Sequence, residues 1–94
     1  MRKIDFRPGY YEWQVIVDGE VVHSFNDFSE YFEEENITTE TVYNLIDDLI
    51  WSWREDCLEN ECSFPLTTQE TVVLIEIMKI TIWQHYEIDS QEEI

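Results

Sequence analysis

Between Pro8 and Trp53 the chain lacks lysine and arginine altogether, while the same 46 residues hold eleven Asp or Glu. Five cations stand against 22 anions in the 94 residues, a formal charge of -17. So few cations disfavour phosphate-contacting nucleic-acid binding, because a polyanion is held by displacing its counterions with Lys and Arg. An anionic membrane surface is disfavoured for the same reason. Glycine and proline are scarce, two of each, so little flexible linker is present. No apolar run reaches the roughly 20 residues of a membrane span; the longest, Thr71 to Trp83, is broken by Glu76 and Lys79. No secretory leader is read in the opening residues, where Arg2 and Lys3 meet Asp5, Arg7 and Pro8, and the expected location is cytoplasmic.

Cysteine is limited to Cys57 and Cys62, which with His23 and His85 supply zinc-type donor atoms. The spacing is not that of paired zinc ligands; a Cys57–Cys62 disulfide is geometrically conceivable across a helix end, but a reducing cytosol argues against it, so two free thiols are the expectation, and no metal and no cofactor is assigned. Both histidines have ordinary structural readings, His23 as a cross-strand partner of Gln14 and His85 near a helix end. Glu33, Glu34 and Glu35 diverge around a helix, whereas calcium needs converging oxygens. No nucleophile elbow, phosphate loop or HExxH spacing is present, so no catalytic residue is nominated and the chain is read as a non-enzyme.

What is abundant is hydrophobic and aromatic material, 44% and 15% of residues, enough to offset the entropy of ordering despite the charge. The fold expected is α+β: one acidic domain over 1–94, an N-terminal β-hairpin at about 10–25 packed with two to three helices, and a frayed tail at 89–94. Asp18-Gly19 between two β-rich runs specifies a two-residue type I′ turn. Pairing outward from it sets Val15 against Val22 and Trp13 against Ser24. Tyr11, Trp13, Val15, Val17 and Val22 then share the core face, and Ile16, Val21, Phe25, Glu12, Gln14 and His23 the other.

Asn26 or Asp27 caps a short helix to about Glu35, with Phe28, Tyr31 and Phe32 inward. Thr38 caps a longer one to about Leu58, with Ile37 and Val42 as its staple and Val42, Ile46, Leu49, Trp53 and Cys57 as its apolar stripe. For residues 67–87 the sequence leaves helix and strand both open. Thr67 with Glu70 has capping-box spacing and Leu74, Ile75, Met78, Ile82 and Tyr86 share a helical face, yet the β-branched content suits a buried strand.

Turning about 100° per residue from Ile46 puts Glu40, Asp47, Asp48, Glu55 and Glu59 opposite the stripe, with Trp51 near 140° and Leu58 near 120°. Two readings of Trp51 compete: a core side chain in a sandwiched helix, or an exposed anchor ringed by anions. In the second, Trp51, Leu58 and the carboxylates Glu40, Asp47, Asp48, Glu55 and Glu59 form a partner-binding face. Carboxylates four apart on a helix, about 5–6 Å from each other, approximate a row of phosphates.

In size and charge the chain is similar to tiny acidic inhibitors of nucleic-acid enzymes, among them nuclease immunity, antirestriction and phage anti-CRISPR proteins. The likeness is compositional and implies a protein-binding role against a basic, nucleic-acid-handling partner. The alternative is a homodimeric assembly or accessory protein whose charge serves solubility.

Overall fold

The computed structural model describes residues 1–9, 11–34 and 36–92, the side chains of 34 and 87–92 excepted. It is an α+β arrangement in which a three-stranded antiparallel sheet, ordered β1-β2-β3, carries helices on one face. The strands are β1 (Ile4–Pro8), β2 (Glu12–Val17) and β3 (Glu20–Asn26). Short α1 (Tyr31–Glu34) leads into α2 (Thr39–Glu59) and α3 (Thr68–Glu92).

The expected turn forms as its residues dictate, with Asp18 at φ 50° and Gly19 at φ 84°. Strand β1 was not anticipated. Ile4 and Phe6 alternate inward opposite Val17 and Val15, and the Asp18 carboxylate accepts from the Lys3 backbone N–H at 2.9 Å, tying the start of β1 to the hairpin tip. At the far end Gly9 is obligatory: a Cβ there would lie 2.5 Å from the Glu12 carbonyl oxygen.

Between β2 and β3 the register corrects the expected pairing. Val17 meets Glu20 and Ile16 meets Val21, but Val15 then faces His23 and Trp13 faces Phe25. The extra residue, Val22, is a bulge that reverses the alternation of everything beyond it. Phe25 and His23, expected on the outer face, therefore turn toward the helices, where Phe25 is buried and the His23 ring stacks on Trp53, centroids 4.4 Å apart. Tyr11, expected inward, is exposed.

Helix α1 is shorter than expected. The Asp27 carboxylate accepts the Ser29 hydroxyl at 2.7 Å, and the bonds Tyr31 to Phe28, Phe32 to Ser29 and Glu33 to Glu30 are of the tight i to i−3 kind. Phe28 is still buried, and Tyr31 and Phe32 pack on the core. The expected end of this helix at Glu35 lies outside the described residues.

Helix α2 begins at Thr38 with a reciprocal cap: the Thr41 N–H donates to the Thr38 hydroxyl at 3.1 Å, and the Thr38 N–H to the Thr41 hydroxyl at 2.9 Å. Of its expected stripe Val42, Ile46 and Trp53 are buried, joined by Leu45 and Ile50, while Leu49 and Cys57 pack on the core only partly buried. It ends in a Schellman motif, with Cys62 N–H to the Cys57 carbonyl at 2.8 Å and Glu61 N–H to the Leu58 carbonyl at 3.2 Å. Glu61 occupies the left-handed position at φ 56°, which glycine adopts without strain. Glu61→Gly is expected to stabilise the protein by about 0.5–1 kcal/mol, read from the urea midpoint. A loss of stability would show that the Glu61 side chain makes a compensating contact.

The open alternative for residues 67–87 resolves as helix. In α3, Glu70 N–H donates to the Thr67 hydroxyl at 3.1 Å while Thr67 N–H donates to the Glu70 carboxylate at 2.9 Å. Leu74, Met78 and Ile82 are fully buried between the sheet and α2, a gain that outweighs the weak helix propensity of the β-branched residues. The backbone of α3 continues to Glu92. The rest of the expected frayed end, residues 93–94 and the side chains before them, lies outside the described residues.

Arg2 fastens the N-terminus to the cap of α3, its guanidinium donating to Glu70 at 2.7 and 2.9 Å and to the Pro65 carbonyl at 2.7 Å. These bonds, the Arg2 pair first and the Thr67 N–H second, hold the Glu70 carboxyl down from 4.5 to about 2. A lowered folded-state value means the stabilisation is complete above the ordinary carboxylate range and is lost as pH falls toward that folded value. Glu70→Gln is therefore expected to lower Tm at pH 7, and its deficit against wild type should shrink as the pH is lowered from 4.5 toward 2. A deficit independent of pH would contradict this.

Candidate partner-binding surface

One flank of α2 packs Trp53 against His23 and Phe25 of β3, and another meets α3, where the Lys79 ammonium lies 5.4 Å from the Tyr43 ring centre. The remaining outer flank is bare. Trp51 is 61% and Leu58 77% exposed, and Glu40, Asp47, Asp48, Glu55 and Glu59 are exposed with them. The reading of Trp51 as core is thereby overturned; that role belongs to Trp53, two residues on and 3% exposed. Asp47, Asp48 and Glu55 lie one turn from the Trp51 indole, and Leu58 two turns. Helix α2 thus brings all seven sequence-nominated residues onto its solvent side, with Glu40 at the far N-terminal end.

The electrostatics of this face follow from where the cations went. Arg2 is held by Glu70, Arg7 pairs with Asp5 at 3.7 Å, and Lys79 pairs with Glu76 at 2.9 Å. Arg54, the cation that α2 itself carries, lays its guanidinium 4.6 Å from the Phe64 ring centre, toward the loop after the helix. Among the described residues, Asp47, Asp48, Glu55 and Glu59 make no ion pair.

The last turn of α2 carries no basic residue, so Asp56 and Glu59 sit at the negative end of the helix dipole with Glu61 just beyond. Each such placement is unfavourable by a few tenths of a kcal/mol, and a docked cation would relieve it. Sequence reasoning missed Glu61, and Asp56, though at the same helix end, faces the pocket on the other side of α2. The missing last-turn cation was the signal that would have found Glu61.

On the other side of α2, His23, Trp53, Asp56, Cys57, Asn60 and Cys62 line a pocket of about 310 Å³. Burial lowers the His23 pKa below its usual 6.5, and nearby Asp56 opposes the shift. Of the four zinc-type donors, His23 and the two cysteines meet here, while His85 packs edge-on against Trp13 at 5.0 Å. Among the described residues, no three His, Cys, Asp or Glu side chains are gathered so as to hold a metal ion. None of the described helices is long and apolar enough to cross a membrane.

Comparison with protein-family models, with curated proteins and with solved structures finds no match for this chain.

Proposed function

We propose that the chain is a small acidic binding module that docks α2 on the basic surface of a nucleic-acid-handling protein and blocks or regulates it by occupying the phosphate track. It acts in the cytoplasm, by binding and not by catalysis. The observation that carries this reading is an exposed indole among unpaired carboxylates on a helix whose last turn has no cation. Trp51 supplies the anchor, with Leu58 beside it, and Asp47, Asp48, Glu55, Glu59 and more distantly Glu40 supply the field. Competition tests it: increasing amounts of the protein should release labelled nucleic acid from the partner, and Trp51→Ala should need at least roughly 30 times more protein for the same release. Simultaneous binding of both ligands to the partner would reject mimicry.

A second reading is a homodimeric assembly or accessory protein. It is favoured by Tyr11 and Val21 exposed on the hairpin and by Val72 and Ile80 exposed on α3. Light scattering after size exclusion separates the two. A stable dimer that buries Trp51 and shows no preference for basic partners would replace the first reading.

A further inference from the structure

The Schellman motif that ends α2 places its two flanking positions together, and here both are cysteines. The 2.8 Å bond from Cys62 N–H to the Cys57 carbonyl limits the separation of their Cα atoms to about 6.7 Å from standard backbone dimensions. That lies within the roughly 4.4–6.8 Å that disulfides span. Side chains at these two positions of the motif commonly touch, and both cysteines line the same pocket of about 310 Å³. Both thiols are free; Cys62 is exposed, its thiol donating to the Asn60 carbonyl at 3.5 Å, and Cys57 is half-buried.

We infer that Cys57 and Cys62 are a reversible dithiol–disulfide site, closed by exchange with a small-molecule disulfide such as oxidised glutathione. Exposed Cys62, as thiolate, attacks one glutathione sulfur; an S–S bond forms to Cys62 and the first glutathione leaves as thiolate, taking up the proton that Cys62 released. Cys57 then gives up its own proton and attacks the Cys62 sulfur, expelling the second glutathione, which takes that proton. Two protein thiols have lost two electrons and two protons, and one glutathione disulfide has become two glutathiones. The mixed disulfide does not persist because the helix cap holds Cys57 beside it at high effective concentration. Closure staples the turn that follows Leu58 and Glu59.

The test is equilibration of the folded protein in glutathione buffers from reducing to oxidising, followed by acid quench, alkylation and mass spectrometry. The expected product is a monomer lacking two hydrogens, mapped to a Cys57–Cys62 bridge, with single glutathione adducts minor. Under the same buffers Cys57→Ser should instead accumulate one glutathione on Cys62. In denaturant the wild-type ratio of bridge to adduct should fall. Stable adducts or linked dimers without an internal bridge would overturn the inference, and so would a ratio unchanged by unfolding.

Discussion

Truncating Trp53 to alanine is expected to destabilise the protein by about 3–5 kcal/mol, whereas Trp51→Ala should change stability by less than about 0.5 kcal/mol. The two indoles are neighbours in sequence and opposite in environment. Trp53 stacks on His23, meets Phe25 edge-on at 6.0 Å and packs on Phe64 at 4.6 Å, so its removal leaves a cavity between sheet, helix and loop. Trp51 touches none of these rings, and its indole is largely in water already. Urea midpoints at constant slope measure both changes. Equal losses for the two variants would mean that Trp51 is buried in the protein in solution, as the dimer reading requires.

In partner binding the order should invert. Trp51→Ala is expected to weaken the complex by roughly 30-fold or more, the cost of a central aromatic anchor of about 2 kcal/mol, and to do so through faster dissociation. The fourfold variant Asp47→Asn, Asp48→Asn, Glu55→Gln, Glu59→Gln is expected to act on association instead. Removing the field should slow encounter by about tenfold or more at low salt and flatten the dependence of the on-rate on ionic strength. Binding kinetics by surface capture distinguish the two effects. If the fourfold variant changed only dissociation, the carboxylates would be making short contacts and not steering.

Much of the fold could be read from local chemistry. Asp18-Gly19, the cap at Thr38, the pair Thr67 and Glu70, and the stripe from Val42 to Cys57 each name a structure because the physics that selects them acts over a few residues. What escaped reading was set at longer range. The Ile4-to-Pro8 strand offers only two inward apolar residues between charges and becomes a strand through pairing with β2. The bulge at Val22 follows from burying Phe25 and stacking His23 on Trp53, partners about 30 residues away in sequence, so turn geometry alone predicted the wrong register.

The candidate surface divides the same way. The helical repeat of about 3.6 residues sufficed to set Trp51, Leu58 and the five carboxylates away from the stripe. It did not say how many layers would cover the helix. That depended on α3 packing against one flank of α2 and on Arg54 turning toward Phe64, which leaves Asp47, Asp48, Glu55 and Glu59 without an ion pair among the described residues.

On the proposed function, the outer flank of α2 is complementary to a basic, nucleic-acid-binding surface. Parallel affinity capture from native lysate with wild type, Trp51→Ala and the fourfold neutralised variant tests it most directly, at salt of roughly 50 and 200 mM, a range over which contacts between many opposite charges weaken strongly. The expected result is a protein retained by wild type alone, eluted by the higher salt and displaced by added nucleic acid. Retention of the same proteins by all three baits, unaffected by salt or nucleic acid, would contradict it.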